Sequence, residues 1–556
     1  MITIRGIGAS PGIACGPLHL HQIEAVRVQR DTVTDPEAEW NRFLLAQEKT
    51  IEQLGILAEE ARKTSGDEAA DLLEGHQLLA EDPDLTDAVE ALIREQRLSA
   101  EAAVIDAGAA MAEEFDALDD PYLKARAADI RDVSGRIASC LSGNKAAKEP
   151  DGPVILAAKD LAPSETVQIN KEKVLGLITE EGSENGHTAI LARTFGIPAI
   201  INAKGILDPS LEGKEAFMDG GSGSIYIDPD PETKEVLLKK KEETEKQTQL
   251  MQSLKGKPAV SKDGQRIRIY CNIGGPEDVP AVLENDGEGI GLFRSEFLYL
   301  GREDYPDEET QFQAYRKVLT AMGDREVIIR TMDIGADKQI DYFNLPKEEN
   351  PALGMRALRI CLDRPEIFRT QLRALYRASV YGNLGIMFPM VASVWEVQEV
   401  KTRCEQVKQE LIAEGIPVSE SIRIGIMVET PAAALMSDRL AQLVDFFSVG
   451  TNDLTQYTLA CDRQNSSLAR FRDTHHPAVL RLLKLITENA HRYGTEVSIC
   501  GELAADPELT VFFLAIGIDE LSVSPRSVLP LRQKVLDTDV SSCKEKLLDA
   551  IMSEQV

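Results

Sequence analysis

The chain has 556 residues, of which 43% are hydrophobic and 28% charged, and its formal net charge is −31. At roughly 100–200 residues per domain, this length predicts three to five domains, or one large barrel with additions. The acidic charge disfavours nucleic-acid binding across a broad surface, because phosphate backbones attract basic patches. No stretch approaches the roughly 20 apolar residues needed to span a bilayer. The start lacks a secretory pattern and the eight cysteines show no disulfide or zinc spacing, so we expect a cytoplasmic protein without membrane insertion.

The first 21 residues alternate apolar positions with glycines, which predicts a strand and tight loops. From about residue 35 to residue 142, apolar residues recur at helical spacing. Asp82-Pro83 and Asp120-Pro121 punctuate this run at places where new helices would begin. The pattern predicts a helical bundle.

The predicted bundle carries much of the negative charge. Residues 31–140 hold 27 acidic and 10 basic residues, and 27 − 10 gives a net charge of −17. One interpretation is a solvated helical face. The other is a docking surface that attracts a basic partner over a long range.

Four short apolar runs between residues 153 and 227 alternate with helical stretches, which predicts an α/β domain. The bundle is then an insertion, so that the α/β domain comprises residues 1–21 and 147–230 and the helical domain residues 22–146. A charged, proline-free stretch within residues 231–258 predicts a solvent-exposed linker helix.

Residues 259–556 repeat a strand–helix rhythm. Eight such units predict a (β/α)₈ TIM barrel. A doubly wound sheet is the alternative, although eight right-handed units close more naturally into a barrel. The predicted strands cover residues 267–272, 289–294, 327–332, 384–390, 424–429, 446–450, 496–500 and 520–524.

Charged and polar residues stand at the ends of these predicted strands, where active sites of such barrels lie. Several arginines converge there, and each guanidinium can hold phosphate or carboxylate as a fork. Glu429 and Asp453 come from adjacent strands and suit Mg²⁺, which takes one or two carboxylates plus substrate phosphate. A small anion with both phosphate and carboxylate fits this set, and structural ion pairs are the alternative. The strand-end residues are Arg294, Arg330, Asp333, Glu429, Asn452, Asp453 and Cys500, and Arg463 follows in a loop.

Two residues are candidates for covalent or proton chemistry. Cys500 is either a small buried apolar residue or, facing the arginines, an acid or nucleophile. His187 follows glycines at a predicted helix start, so it could accept a phosphoryl group. A helix-capping histidine is the other interpretation. The remaining histidines show no metal-ligand spacing, and the pair before Pro477 is interpreted as structural.

Taken together, these motifs resemble the Enzyme I family of the bacterial phosphoenolpyruvate:sugar phosphotransferase system. The resemblance covers essentially the whole chain. Its motifs lie at residues 8–12, 160–166, 182–193, 291–298, 330–338, 350–357, 388–390, 425–431, 448–454 and 500–502.

The resemblance implies that phosphoenolpyruvate (PEP) binds at the barrel mouth and that Glu429 and Asp453 ligate Mg²⁺. His187 would then take the phosphoryl group, Thr166 would orient the His187 ring, and Cys500 would protonate the departing enolate to give pyruvate. The residues implied to hold or neighbour PEP are Arg294, Arg330, Lys338, Arg356, Asn452, Asp453 and Arg463.

The resemblance also implies two partners. Phospho-His187 would pass its phosphoryl group to the carrier protein HPr, which would dock on the acidic helical domain, in the region that includes Glu74, Gly75, His76 and Asp82. A second copy of the chain would form a homodimer through the barrel. The loop before His187 departs from the family pattern at Ser183 and Gly186, which affects the hydrogen bonding expected around the histidine.

Three rival interpretations remain. Pyruvate phosphate dikinases and PEP synthases need a nucleotide-binding domain before the histidine, whereas the roughly 180 residues before His187 are largely helical and lack a glycine-rich nucleotide loop. A regulatory relay for nitrogen metabolism would usually carry an extra N-terminal sensory domain. A protein that only docks HPr-like partners would not need the arginines, the carboxylates and Cys500.

Overall fold

A computed structural model describes two compact units, Met1–Gln247 and Thr248–Val556. The sequence positions His187, Thr166, Gly186 and Lys338 lie outside the described residues, so the predictions made for them stay predictions. The described residues are 1–21, 32–64, 67–116, 121–143, 150, 152–161, 173–183, 188–189, 192–193, 196–335, 340–541 and 544.

In the first unit, the described strands form one mixed sheet in the order β1-β8-β7-β3-β4-β5-β6-β2. The four apolar runs predicted as strands are β4, β5, β6 and β8. The strand β7 was not predicted, and it pairs with β8 across a glycine-rich turn. The strands are β1 Ile2–Arg5, β2 Ile7–Ser10, β3 Ile13–His21, β4 Val154–Ala158, β5 Val174–Thr179, β6 Ala199–Ile201, β7 Glu215–Asp219 and β8 Ser224–Ile227.

The helical block interrupts this sheet between two neighbouring strands. Strand β3 pairs in parallel with β4, with Leu18 opposite Ile155. The chain therefore leaves the sheet after β3 and re-enters it beside the same strand, which confirms the predicted insertion.

The inserted block is a helical bundle, as predicted. Phe43, Val89, Val104 and Val133 are fully buried in its core. Leu78, by contrast, is 69% exposed, so the bundle keeps an apolar side chain on its surface. The bundle helices are Pro36–Thr64, Asp67–Ala80, Pro83–Gln96, Ala100–Asp116 and Pro121–Ser142.

The predicted linker helix is present as Pro231–Gln252. Its first half is held to β7 by two ion pairs, from Lys234 to Glu215 at 2.6 Å and from Lys240 to Asp219 at 2.5 Å. The charged pattern indicated a solvent-exposed helix, and the structure adds that its lysines pair with acids at both ends of one strand.

The second unit contains a closed barrel of parallel strands, which confirms the predicted (β/α)₈ architecture over the doubly wound sheet. Side chains such as Leu292, Met387, Met427 and Phe446 fill its interior. A filled interior leaves the two ends of the barrel as places for charged groups. The strands are β9 Arg268–Ile273, β10 Ile290–Arg294, β11 Glu326–Arg330, β12 Asn383–Phe388, β13 Arg423–Val428, β14 Phe446–Val449, β15 Glu496–Ile499 and β16 Glu520–Val523.

Helices surround the barrel and connect its strands. Within the described ranges, the structure contains no helix with the length and apolar character that crossing a membrane requires. The barrel helices are Val279–Glu284, Glu308–Met322, Leu358–Asp363, Pro365–Ala378, Val394–Ala413, Pro431–Leu435, Ser437–Leu440, Thr451–Leu459, Pro477–His491, Thr510–Ile516 and Val528–Asp537.

Candidate active site

The carboxyl ends of the barrel strands bring the predicted site residues together. Arg294 and Arg330 are the last residues of β10 and β11, and Glu429 follows β13 directly. Asp453 lies in the first turn of the helix Thr451–Leu459, after β14. Since parallel strands all end at one rim, residues far apart in the chain become neighbours there.

One carboxylate joins two of the arginines. Asp333 Oδ2 lies 3.0 Å from Arg330 Nη1, and Asp333 Oδ1 lies 2.9 Å from Arg356 Nη2. Glu296 Oε1 also accepts from Arg330 Nη2, at 3.0 Å. Burial alone would lower the pKa of Arg330, but attraction to Glu296 and Asp333 outweighs it and raises that pKa above its usual value. The two guanidiniums are therefore permanently charged and fixed in position.

Two other arginines have guanidinium donors without a hydrogen-bond partner among the described residues. The Arg294 side chain is exposed, and its guanidinium makes no ion pair with the residues that the structure describes. Arg463 Nη1 lies 3.8 Å from Asp453 Oδ2, beyond hydrogen-bond distance, and the side chain is 35% exposed. These two guanidiniums keep donors that an anionic ligand can use.

The carboxylates at the mouth are crowded. Glu429 is 1% exposed, and burial followed by the charges of Asp333 and Asp453 raises its pKa to about 8. Asp453 Oδ1 is buried and accepts no hydrogen bond from the described residues. Gly450 leaves room for this cluster, because a Cβ there would lie 2.7 Å from Glu429 Oε2. The orphaned oxygen and the like charges fit a divalent cation bound by oxygen ligands.

Cys500 follows β15 inside the barrel and is 3% exposed. Burial raises the pKa of its thiol to about 11, and Sγ donates to the carbonyl oxygen of Val449 at 3.6 Å. The residue is both buried and next to the charged cluster, so the two alternatives left open by the sequence are not exclusive. At neutral pH it is a thiol that holds a proton.

Asn452 also lies at the rim, and Glu502 engages its amide. Its Nδ2 donates to Glu502 Oε1 at 3.3 Å, and its Oδ1 accepts from Glu502 N at 3.2 Å. This pair links the helix after β14 to the segment after Cys500.

Sequence reasoning missed several residues that support the arginines. Asp333 was among the predicted strand-end residues, whereas Glu296 stood unnamed inside a quoted motif, where its position just after β10 was the available signal. Gln456 and Tyr457 lay beyond the quoted motifs, with no chemical signal of their own. The structure also places His475 with Asp506 and Glu508, whose ligand atoms lie within 4.8 Å of one another, a grouping that linear spacing could not indicate.

Known proteins share this architecture. Residues 5–126 match the family description "PEP-utilising enzyme, N-terminal", and residues 150–223 match "PEP-utilising enzyme, mobile domain". Residues 248–540, which include the whole barrel mouth, match "PEP-utilising enzyme, PEP-binding domain". The fold and the site thus define the class of a PEP-utilising enzyme.

Curated relatives narrow the class. A phosphoenolpyruvate-protein phosphotransferase of Priestia megaterium is 43% identical over 99% of this chain and 96% of its own length. Enzymes of the same name from Bacillus subtilis (strain 168) and Staphylococcus carnosus (strain TM300) are 42% and 40% identical over 100% of this chain, and over 98% and 97% of their own lengths. The chain belongs to the phosphoenolpyruvate-protein phosphotransferase family, and it is therefore an enzyme that transfers phosphoryl groups.

Proposed function

We propose that the chain moves the phosphoryl group of PEP to His187 and then to a histidine of the carrier HPr, releasing pyruvate. This would be the first step of sugar uptake by the phosphotransferase system. The observation that carries the proposal is the barrel mouth, where open and fixed arginines surround two buried carboxylates, Glu429 and Asp453, and the arginines nearest Asp453 stay 3.8 Å away without a hydrogen bond to Oδ1. Phosphoryl transfer needs mainly positioning and charge neutralisation, which this arrangement provides.

The four arginines fall into two pairs with different proposed roles in binding PEP. Arg294 and Arg463 have unpaired donors for an incoming anion, whereas Asp333 fixes Arg330 and Arg356 at the back of the site. PEP carries a phosphate and a carboxylate, and a guanidinium fork matches either one. Asn452 and Lys338 complete the proposed substrate site, with Asp453 at its metal side.

Glu429 and Asp453 are the residues that would hold a divalent metal, which we propose to be Mg²⁺. Their crowded charges and the orphaned oxygen of Asp453 support this choice. Bound there, Mg²⁺ would neutralise charge that develops on the transferred phosphoryl group.

In the first half-reaction, the bond between phosphorus and the enol oxygen of PEP breaks and a bond from phosphorus to a ring nitrogen of His187 forms. Thr166 would hold the ring in orientation. The remaining enolate takes a proton at carbon, and the buried Cys500 thiol can supply it because its pKa is about 11. The resulting thiolate recovers a proton from water. In the second half-reaction, phospho-His187 gives the phosphoryl group to HPr.

We place HPr on the inserted bundle. Its net charge of −17 over residues 31–140 and the exposed Leu78 provide attraction and apolar contact for a basic partner. His76, part of the predicted docking region, is 1% exposed and lies between Asp129 and Asp132, so its side chain does not belong to the docking surface.

We also propose a cytoplasmic location and a homodimer through the barrel. The seven described cysteines are all free thiols, as a reducing compartment requires. The barrel unit exposes large apolar side chains, including Leu353 at 63% and Phe471 at 52%, which suit burial against a second copy. Analytical ultracentrifugation would test the dimer, and a single monomeric species at micromolar concentration would contradict it.

The deciding experiment is incubation with Mg²⁺ and PEP labelled at phosphorus. We expect an acid-labile, base-stable phosphate on the protein, with pyruvate released and no nucleotide present. His187→Ala should abolish the label while PEP still binds, and His491→Ala, at an exposed histidine that pairs with Asp519, is the matched control. A folded protein that takes no label would contradict the proposal and favour a protein that only docks partners.

A charge reversal tests the docking surface. Glu81 is exposed and makes no ion pair with the residues that the structure describes. Asp82 instead caps a helix by accepting from Asp84 N at 2.8 Å, so Glu81→Lys changes charge without removing a cap. We expect slower HPr phosphorylation, with a larger defect at low salt than at high salt. The control variant Glu95→Lys makes the same charge change at the far end of the next helix, Pro83–Gln96. A decrease in the rate of HPr phosphorylation that is the same at low and high salt would contradict long-range attraction.

A further inference from the structure

The helix Thr451–Leu459 carries Asn452 and Asp453 in its first turn, and Gln456 and Tyr457 near its end are hydrogen-bonded to two arginine-bearing segments. We propose that Gln456 and Tyr457 are positioning residues, which set the backbone of Arg463 and the guanidinium of Arg356 for PEP binding. This inference rests on the proposed roles of the two arginines.

Gln456 organises the turn that follows the helix. Its side-chain Oε1 accepts from Arg463 N at 2.9 Å. Its main-chain oxygen accepts from Ala460 N, which ends the helix in the left-handed conformation, and from Cys461 N at 3.0 Å. Since Gln456 is 8% exposed, water competes little for these bonds. Gln456 therefore fixes the backbone from the end of the helix to Arg463 through three hydrogen bonds.

This anchoring decides where the Arg463 guanidinium can reach. The side chain returns towards the start of the same helix, and Nη1 lies 3.8 Å from Asp453 Oδ2. That separation is too long for a strong bond, so the contact with Asp453 does not hold the arginine in place. The direction of the side chain depends on its backbone, and Gln456 Oε1 is the side-chain acceptor for that backbone N–H.

Tyr457 holds the guanidinium of Arg356 in position. Its hydroxyl donates to the carbonyl oxygen of Ala352 at 2.5 Å and accepts from Arg356 Nη1 at 3.2 Å. Burial raises the pKa of Tyr457 above its ordinary value, so the hydroxyl keeps its proton and the bond to Ala352 keeps its direction. Asp333 holds the opposite side of the guanidinium at 2.9 Å. Arg356 is therefore held by one charged and one neutral hydrogen-bond partner, and Asp453 Oδ1 lies 3.8 Å from its Nη1 without a hydrogen bond.

The same helix supplies a matched control. Thr455 is 2% exposed, and its hydroxyl has no hydrogen-bond partner in the described part of the chain. Thr455→Val keeps the shape of that side chain and removes no hydrogen bond to either arginine loop. It therefore measures what a substitution in this helix does by itself.

The experiment compares Gln456→Leu, Tyr457→Phe and Thr455→Val in the PEP half-reaction. We expect the KM for PEP to rise about tenfold in the first two variants and kcat to change less than about threefold, because one hydrogen bond that aligns a binding group is lost. Thr455→Val should match the parent in both constants. Melting temperatures should agree among the three variants within about 3 °C.

Double variants show which arginine each residue serves. In an Arg463→Ala background, Gln456→Leu should add almost nothing to KM, whereas Tyr457→Phe should still raise it. In an Arg356→Ala background the pattern should reverse. A merely structural role would leave all the effects additive, and additivity would overturn the inference.

Failure of the inference can be told apart from failure of the proposed function. If Arg463→Ala and Arg356→Ala raise KM but Gln456→Leu and Tyr457→Phe do not, the positioning role is wrong and the proposed site stands. If neither arginine substitution changes KM, the proposed substrate site is wrong and the inference falls with it.

Discussion

The two ends of the barrel contain the same kinds of residues in different states of pairing. At the amino end, Arg423 donates to Glu326 at 2.9 Å and to Glu496 at 2.6 Å, and Arg268 donates to Glu496 at 3.0 Å. There each guanidinium is paired with carboxylates that lie two strands away around the barrel. Glu520 remains as a buried acid next to them, and burial raises its pKa to about 8.

At the carboxyl end the pairing is incomplete. Arg294 and Arg463 keep free donors, and Asp453 Oδ1 has no hydrogen bond from the described residues. After burial, the two largest causes for Glu429 are carboxylates that raise its pKa, and Arg330 opposes them; for Glu520 the largest cause after burial is Arg268, which opposes the rise. A closed network of ion pairs stabilises the fold, and an open one is prepared to bind charged ligands. The composition of a cluster alone does not separate these roles.

Removing one buried carboxylate from each end of the barrel should give the largest difference between the two ends, in the rate of PEP-dependent labelling. We expect Glu429→Gln to lower the PEP-dependent labelling rate by at least about a thousandfold, because it removes a charged ligand of the proposed Mg²⁺. The matched variant Glu520→Gln should leave that rate unchanged. Rapid-quench labelling measures both, and equal rates in the two variants would remove the functional distinction between the ends.

Substituting one arginine at each end should give the next largest difference, in the free energy of unfolding and in the KM for PEP. Arg423→Met should lower the free energy of unfolding of the barrel by about 2 kcal/mol, since it removes the arginine paired with the buried Glu326 and leaves Glu496 with Arg268 alone. Its effect on the KM for PEP should be negligible. Arg294→Met should do the opposite, raising KM without a loss of stability. Urea unfolding and steady-state kinetics of both variants provide the test, and a stability loss in Arg294→Met would argue that the mouth is also a closed network.

The last contrast concerns the pH dependence of stability. The pKa of Glu520 is about 8 in the folded chain, against an ordinary value near 4.3 for an exposed glutamate. Between about pH 4.3 and pH 8 the folded state binds this proton more tightly than the unfolded state, so its contribution to stability is complete below that window and falls as pH rises through it. Glu520→Gln should remove this component. From pH 5 to pH 8.5 the free energy of unfolding of the variant should rise relative to that of the parent, and a difference that does not change with pH would contradict the raised pKa.

Local patterns were sufficient for most of the architecture. Strands such as β12 and β13 are short apolar runs flanked by turn signals, so their period and length identify them without tertiary information. Strand β7 was missed because its stability comes from pairing with β3 and β8. In the same way, the charges of residues 231–252 predicted the linker helix, but not that its lysines would pair with β7.

The sequence by itself determined the alternation of strands and helices, the acidic bundle and the residues that end each barrel strand, because these depend on neighbours along the chain. Only the tertiary structure decided that Asp333 bridges two arginines, that Arg463 stays open, and that Gln456 anchors it. Whether a charged group is paired depends on distances between loops separated by many residues. Such distances are set by how the barrel closes, and no local pattern encodes them.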